Sequence, residues 1–582
     1  MLKRNTPHWT KFPEFDCTLY FVQRLDELLF DYTIDTYKHQ ALNTFLLVRE
    51  ALSVYEIIDQ GYSDSQNIRS ILEELNFKYS FDPIAKRILN DEFGLYLPIT
   101  DFENNTENKL KLELIKNKLK GNLYVDINKE LLIEAIVSKS KKDISFLTSN
   151  LITTLKAAGY SQPFLYKRTQ ETFYDFNKPV NSVTIVKSFL DTFDLKLKKF
   201  EVLFKASSLY LEIQTSCKSF NLEILTNFPK HFISPTVKFS NKKINNDIYI
   251  LCQQIEARDP YKARQLAEKR TDKIANLFIF FHHKQKPKIL NEALVLETDT
   301  KEIIKVTEQT SPMTKGFDLK PRKAALRLNE VLKGFGLVKD SFERIDKAID
   351  LHGIAVDNKN IENQLLNLWI SFETLIQGND KKGKVHQVTD CILPILKSTY
   401  IKILLDDAVK SLSMWNNLKL ANLLSKVSVG ANVSEKSYAL ILAEDYEPLR
   451  LELGKQLDEF PLLRNRIYEL NKSLYKGSKI IETILEHEKK VIWQLRRIYR
   501  TRNFIVHKGG TQINVDILVE NSHNYFDIFI NKIYHLVING KQINTIEQGI
   551  KETELEWTKK EKFLTKNKDE KLTSLNFLKF IN

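Results

Sequence analysis

Apolar residues recur every three or four positions over most of the chain, which is the spacing of one face of an α-helix. This pattern fills residues 1–175, where one helical stretch closes on Gly61 as a helix C-cap would. It returns over 326–545, where it predicts further helices at 340–352, 360–377, 385–410, 415–427, 446–470, 479–508 and 521–540. The sequence therefore predicts a mainly α protein with a helical domain at either side of its middle.

The pattern changes between 176 and 325. Runs of strand length, apolar or alternating, occur at 208–213, 246–255, 277–283 and 292–298. Between the second and third runs, Asp259 and Pro260 are typical of the N-cap and first position of a helix. This order predicts an α/β or α+β middle domain, for which a sensor or regulatory role is one interpretation. The highly charged residues 546–582 predict a charged C-terminal tail, either a solvated helix or a frayed end.

The charge balance favours a polyanionic partner. The chain has 87 Lys+Arg against 74 Asp+Glu, a formal net charge of +13, which attracts nucleic acid at long range but can also serve only to solvate a surface. Four dispersed cysteines form no CxxC pair, and no apolar run is long enough for a signal peptide or a membrane span. We therefore expect a cytoplasmic protein with reduced cysteines and no membrane partner.

Several common enzyme motifs are missing or incomplete. The stretch GNDKKGKV at 378–385 resembles a phosphate-binding loop, but Val385 stands where that loop needs a serine or threonine, so a linker is the simpler interpretation. His282 and His283 fall at the end of a predicted strand, where neighbouring side chains point to opposite faces. Neither an H-E-x-x-H nor a G-x-S-x-G motif occurs. The sequence thus predicts no metal and no cofactor.

The segment VIWQLRRIYRTRNFIVHKGG at 491–510 carries the most unusual chemistry. On a helix, Arg502 falls inside the apolar face, where an unpaired guanidinium would cost several kcal/mol. Either a carboxylate meets Arg502, or this face borders a wet cleft between two chains. Asn503 and His507 lie four residues apart on a polar side, and Gly509 follows as a helix end.

A carboxylate that could meet Arg502 occurs on the predicted helix at 360–377. There Glu373 falls inside an apolar arc beside Leu366 and Trp369. A bidentate pair between Glu373 and Arg502 is the simplest arrangement for two buried charges. Such a pair could equally be a purely structural element of an ordinary helical bundle.

These residues resemble a known family. RNFIVH at 502–507 is similar to the R-x4-6-H signature of HEPN domains in its R-N-x-x-x-H form, and LLNLWISFETLIQG at 365–378 resembles the acidic first helix of the Apea-like HEPN group. The resemblance covers about 330–545. The segment at 255–270 is more weakly similar to what precedes the HEPN domain in that group.

The resemblance implies a helical domain that dimerises and, in active members, a metal-independent endoribonuclease that leaves 2′,3′-cyclic phosphate ends. By position, His507 would be the acid/base, Arg502 would stabilise charge on the phosphate, Asn503 would orient the site and Glu373 would hold Arg502. The basic residues around this motif would bind RNA: Arg496, Arg500 and Lys508.

Apea-like members resemble bacterial anti-phage effectors, toxins of abortive infection that cut cellular RNA. The implied partners are RNA, with tRNA as one candidate, a second copy of the chain and a phage-derived trigger. The alternative is a catalytically inactive HEPN module that dimerises and binds RNA or a partner as a sensor.

One geometric difficulty remains in the implied site. Five residues on a straight helix separate Arg502 and His507 by ~140° around the axis. The two side chains reach one phosphate only if the arginine bends round, the last turn loosens, or a second subunit supplies one of them.

Overall fold

The computed structural model of the chain describes residues 4–581 except 5, 34–36, 61–65, 91–93, 241–247, 317, 334–335, 377–382, 510–512 and 539–541. Helices account for 68% of it, beside one small five-stranded sheet. The predicted mainly α class is therefore confirmed.

The chain forms two compact units. Unit 1 comprises Met1–Asn150, Asn181–Val183 and Ser311–Asn582, and unit 2 comprises Leu151–Val180 and Thr184–Thr310. The first helices of the chain are α1 Phe15–Leu29, α2 Thr44–Asp59, α3 Gln66–Ser80, α4 Pro83–Leu89, α5 Asn105–Lys118, α6 Gly121–Val137 and α7 Lys141–Ala158. The last of these helices runs across the boundary between the two units.

Unit 2 continues with a mixture of helices and strands. Its elements are α8 Gln162–Phe173, α9 Thr184–Asp191, β1 Lys198–Ala206, a 3-10 helix Ser208–Ile213, α10 Gln214–Lys218, β2 Leu222–Leu225, a 3-10 helix Lys230–Phe232, β3 Ile248–Ala257, α11 Pro260–Phe281, β4 Ile289–Glu297 and β5 Ile303–Thr307.

The chain then returns to unit 1. The elements there are a 3-10 helix Pro312–Thr314, α12 Pro321–Lys333, α13 Lys339–Asp357, α14 Ile361–Leu375, α15 Lys384–Ser425, α16 Val433–Leu442, a 3-10 helix Glu444–Tyr446, α17 Glu447–Gln456, α18 Pro461–Leu474, α19 Gly477–Lys508, α20 Val515–Ile538, α21 Ile546–Lys566 and α22 Ser574–Ile581.

The predicted helical domains at 1–175 and 326–545 are not separate in the structure. Most of the first lies in the same compact unit as the second, because buried charges and apolar faces hold them together. For example, the guanidinium of Arg466 on α18 pairs with the carboxylate of Glu27 on α1, and both side chains are almost fully buried. Arg466 also lies over the ring of Tyr37, 3.4 Å from its centroid.

The charged tail predicted at 546–582 is helical, which was one of the two alternatives, but it is packed against the protein rather than solvated or frayed. Helix α21 begins with a capping box between Thr545 and Gln548, and buries Trp557 and Leu564 among its apolar positions. The start of α19 approaches α21 so closely that a Cβ added to Gly477 would lie 2.4 Å from the carbonyl oxygen of Leu564. Helix α21 is amphipathic: its few apolar residues lie on one face, and the many charged residues cover the rest of its surface.

The predicted helices of the C-terminal half mostly exist, with altered limits. Helices α13, α14 and α19 lie close to their predicted ranges. Helix α15 spans two predicted helices and bends at Asn416, whose backbone dihedrals are not helical. The predicted helix 446–470 is divided in two, because Pro461 starts α18 at a position where its missing N–H costs nothing.

The sheet of unit 2 has the strand order β2-β3-β1-β4-β5, and every neighbouring pair is antiparallel. Its architecture is therefore α+β rather than α/β. Helix α11 exists where it was predicted but is followed by β4 rather than by a strand at 277–283, and Asp259 caps it by accepting a hydrogen bond from the Lys262 backbone N–H at 2.9 Å. One face of the sheet packs on α11 through a buried cluster that includes Phe200, Ala263 and Ala267.

Two predicted strands of the middle segment are wrong. Residues 208–213 form a 3-10 helix, and the apolar run at 277–281 is the last part of α11, followed by His282 and His283. In the second case, growth of an established helix by one hydrogen bond per residue outweighed the strand propensity of the aromatic side chains.

Two further expectations concern the GNDKKGKV stretch and the absence of a membrane span. Most of the loop-like stretch GNDKKGKV lies outside the described residues, which resume at Gly383. Within the described part of the chain, no helix combines the length and apolar character needed to cross a bilayer.

Candidate functional site

The R-N-x-x-x-H segment occupies the last two turns of α19. The helix ends at Lys508, and Gly509 follows in the left-handed conformation with φ of 60°, donating its N–H to the carbonyl of Ile505 at 3.1 Å. A residue without a side chain is favoured at this position, so the predicted helix end is confirmed. His507 is exposed in the final turn.

Arg502 is only partly satisfied by its surroundings. Its Nη1 donates to the Oδ1 of Asn503 at 3.0 Å. Its Nε is buried and has no hydrogen-bond partner among the described residues. A buried donor without a partner costs free energy, which a bound oxyanion could recover.

Glu373 lies on the neighbouring helix but does not pair with Arg502. Its Oε1 accepts a hydrogen bond of 2.7 Å from the indole of Trp369, one turn earlier on α14. The same indole packs on Tyr499 of α19, with ring centroids 5.3 Å apart. Helices α14 and α19 thus meet one turn before Arg502, yet within the described structure no ion pair joins Arg502 to Glu373.

The predicted bidentate pair is therefore wrong for this arrangement of the chain. Glu373 is held by Trp369 along its own helix, and Arg502 is turned towards its neighbour Asn503. The carboxylates that do meet arginines of α19 come from the N-terminal helices, which the sequence analysis did not connect with this segment.

Arg497 and Arg500 are neutralised by these N-terminal carboxylates. Arg497 forms a bidentate pair with Glu50 of α2, through Nε and Nη2 at 3.1 Å each, and also pairs with Glu74 of α3. Arg500 donates to Glu50 at 3.1 Å and to the hydroxyl of Ser70 at 3.1 Å, and its side chain is only 9% exposed. The prediction that Arg500 faces RNA is wrong, because its guanidinium is buried and pairs with Glu50.

Electrostatics agrees with this geometry. Although burial opposes ionisation, the guanidinium groups of Arg497 and Arg500 hold the pKa of Glu50 below its usual value. Burial lowers the pKa of the nearby Lys78 ammonium to about 8, despite the attraction of Glu74. The cluster is thus close to charge balance, and an additional cation in it is unfavourable.

Two other residues were predicted to bind RNA, Arg496 and Lys508. Arg496 is half-buried and makes no ion pair within the described part of the chain. The side chain of Lys508 lies outside the described residues. Glu50 and Glu74 were missed, although each carboxylate falls inside the apolar pattern of its helix, as Glu373 does, and this signal could have identified them.

A second basic surface lies in unit 2. A groove of about 920 Å³ there is lined by Lys199, Lys269, Arg270 and Lys273, with Glu256 as its acidic member. It borders an irregularity in β3, where the pairing with β1 shifts register between Phe200 and Val202. Such bulges often re-aim side chains next to a binding site.

Arg270 is fixed at this irregularity. Its guanidinium donates to the backbone carbonyls of Gln253 and Gln254, at 2.8 and 3.1 Å, and Gln254 has a left-handed backbone with φ of 53°. The charge of Arg270 is held by carbonyl groups rather than by a carboxylate, so the groove keeps its positive potential.

Comparison with known proteins adds nothing to this geometry. No family model, no curated protein and no solved structure matches the chain.

Proposed function

We propose that the chain is a metal-independent endoribonuclease of the HEPN type that works as a homodimer in the cytoplasm. Its catalytic group would consist of Arg502, Asn503 and His507, with Glu373 beside them. A bacterial anti-phage effector of abortive infection, which cuts cellular RNA such as tRNA after a phage-derived trigger, is the biological role we propose for it.

The observation that carries this proposal is a contrast along α19. Arg497 and Arg500 form ion pairs with Glu50 inside unit 1, whereas Arg502 forms no ion pair with a described residue; the buried Nε atoms of Arg500 and Arg502 both lack a hydrogen-bond partner in the described structure. His507 stands exposed at the helix end. A guanidinium with spare donors and an accessible imidazole are the groups that RNA cleavage without metal requires.

The reaction follows from these groups. An imidazole removes the proton from a ribose 2′-hydroxyl, the 2′-oxygen attacks the adjacent phosphorus, and the bond to the 5′-oxygen breaks as that oxygen receives a proton. The guanidinium of Arg502 would donate to the phosphate oxygens as negative charge develops on them. The products are a 2′,3′-cyclic phosphate and a 5′-hydroxyl, with no water consumed.

The ~140° between Arg502 and His507 is one reason for a dimer. A second is the surface of α13, where Phe342, Ile349 and Val356 recur every seven residues and remain 42%, 39% and 36% exposed. An apolar stripe with this spacing is typical of helix–helix contacts. We propose that a second copy of the chain covers it.

Cleavage of RNA in EDTA by purified full-length protein tests the function. We expect the wild type to cut single-stranded or transfer RNA into fragments with 2′,3′-cyclic phosphate ends. His507→Ala should lose ~10²–10⁴-fold in rate, the usual contribution of an acid/base group. The matched control is His283→Ala, because His283 is also an exposed histidine but lies in unit 2.

The outcomes separate the candidate functions. Equal cleavage by wild type and His507→Ala would exclude this site. RNA binding without any cleavage by the wild type would support the second candidate, a catalytically silent module. The basic groove of unit 2 favours that candidate, since Lys199, Lys269 and Lys273 surround a cavity large enough for several nucleotide groups.

A further inference from the structure

A cluster of two histidines and one aspartate lies away from the R-N-x-x-x-H segment. His352 comes from α13, and His523 and Asp527 lie one turn apart on α20. One ligand atom of each residue lies within 4.8 Å of the others. The Nε2 of His523 and the Oδ2 of Asp527 are 3.6 Å apart, and the two imidazole centroids are 4.9 Å apart.

His352 has a polar atom that packing leaves unsatisfied. Its ring stacks on Phe526, with centroids 5.0 Å apart and planes only 9° from parallel. Its Nε2 is buried and has no hydrogen-bond partner in the described part of the chain. Stacking accounts for the position of the ring, but it gives no partner to this nitrogen, whose desolvation is costly when nothing binds it.

Burial and neighbouring charges act on all three residues of the cluster. Burial, and then the neighbouring His523, lower the pKa of His352, and burial lowers the pKa of His523. Asp318 lies near enough to add negative charge around His523 and Asp527. Two carboxylates would balance a dication.

We propose that His352, His523 and Asp527 bind one divalent transition metal ion of the zinc type, with solvent completing its coordination. Two imidazole nitrogens and one carboxylate oxygen form a common ligand set for zinc, and an open fourth position is typical of three-ligand sites. Tetrahedral bonds of ~2.0–2.1 Å place ligand atoms about 3.4 Å apart. The His523–Asp527 pair is already close to this spacing, so modest side-chain rotation would complete the site.

The sequence motifs gave no metal site because the ligands lie on two helices far apart in the chain. The ion would join α13 to α20. Phe526, which stacks on His352, also contacts Phe372 of α14 at 6.0 Å between centroids. The site therefore stabilises the helical core next to α14, independently of whether the chain cuts RNA.

Metal binding by the full-length chain tests the proposal. After removal of metal with EDTA, Co²⁺ is titrated and followed by its visible absorption, and Zn²⁺ is then used to displace it. We expect about one Co²⁺ per chain, displacement by Zn²⁺, and a higher melting temperature in the presence of Zn²⁺, because the ion binds only the folded state.

The variants locate the site. His352→Ala and His523→Ala should weaken Zn²⁺ binding by at least about tenfold, as loss of support around a metal already does. Asp527→Asn should also weaken it, and should fold, since the Asp527 side chain is 52% exposed. His535→Ala is the control, because His535 lies on α20 outside the cluster. Circular dichroism confirms that each variant is folded.

Two results would overturn the proposal. One is the absence of Co²⁺ and Zn²⁺ binding by the metal-free wild type. The other is undiminished binding in the folded Asp527→Asn and His352→Ala variants, which would place the ion elsewhere. Neither readout uses RNA cleavage, so the metal site and the nuclease proposal fail separately.

Discussion

Three arginines in the second half of α19 lie in different surroundings. Arg497 and Arg500 face α2 and α3, where Glu50 and Glu74 neutralise them. Arg502, less than one turn after Arg500, meets only the amide of Asn503. The difference arises because no carboxylate of the described chain lies within ion-pair distance of Arg502.

This comparison teaches that a basic helix face does not by itself define a nucleic-acid surface. A guanidinium becomes structural when a buried carboxylate lies opposite, since separating such a pair leaves a charge stranded in the interior. A guanidinium stays available to a ligand where the opposing helix offers no carboxylate. Four predictions test this division of α19.

The largest expected effect is the loss of stability when Arg497 is replaced. Arg497→Ala leaves Glu50 and Glu74 without their main partner, which should lower the free energy of unfolding by ~3–5 kcal/mol. Thermal and urea unfolding of the full-length protein measure it. The control Arg496→Ala, on the preceding residue, should change stability by less than ~0.5 kcal/mol. A wild-type melting temperature for Arg497→Ala would show that the buried network does not hold α19.

The second prediction concerns Arg502, which forms no ion pair in the described structure. Arg502→Ala should lower the RNA cleavage rate by ~10²–10³-fold, the usual effect of removing a donor to transition-state charge. Its free energy of unfolding should fall by ~1.5–3 kcal/mol, less than for Arg497→Ala, because the guanidinium makes one hydrogen bond to a neutral amide and no ion pair. If Arg502→Ala instead unfolds as readily as Arg497→Ala, then Arg502 is a structural residue and the contrast along α19 disappears.

The third prediction compares two neighbouring arginines in RNA binding. In a His507→Ala background, which prevents cleavage, Arg496→Ala should weaken binding of an RNA oligonucleotide and reduce the salt dependence by about one ion. Arg500→Gln should leave the salt dependence unchanged, because Glu50 already neutralises Arg500. Equal salt dependence in both variants would contradict the inward orientation of Arg500.

The smallest effect concerns pH. Burial lowers the pKa of Lys78 to about 8, whereas an unfolded lysine titrates near ~10.4. Below pH 8 the folded protein must keep a buried ammonium, so this residue destabilises it. Between the two values only the unfolded chain holds the proton, and stability rises with pH.

Lys78→Met should remove this dependence. We expect it to be more stable than wild type at pH 7, with the difference shrinking as the pH rises through 8 towards 10. Melting temperatures of both proteins across this range measure the effect. A constant difference at all pH values would mean that Lys78 does not titrate in the folded protein.

Much of the local structure could be predicted from local chemistry. The end of α19 at Gly509 and the start of α11 at Asp259 and Pro260 depend on backbone freedom and capping, which neighbouring residues decide. The strand predicted at 277–283 failed because the signal there was propensity alone. The growing helix α11 supplied hydrogen bonds that propensity does not describe.

The candidate site was predicted only in part. The motif residues and their place at a helix end came from the sequence, as did the neighbourhood of α14 and α19, although these helices meet through Trp369 and Tyr499 and not through the predicted pair. The sequence did not show which partner each charged residue meets. Glu373, Glu50 and Glu74 all fall inside apolar helix faces, and nothing in their spacing says which arginine each one meets.

What the sequence alone determined is the mainly α class, the limits of several helices and the grouping of Arg502, Asn503 and His507 on one segment, because periodicity and capping act over a few residues. Only the tertiary structure decided that residues 1–150 and 311–582 share one unit, that Arg500 points inward, and that His352 meets His523. These outcomes depend on pairing between distant segments, and the free energy of burying a charge or an imidazole is fixed by whichever partner the fold brings to it.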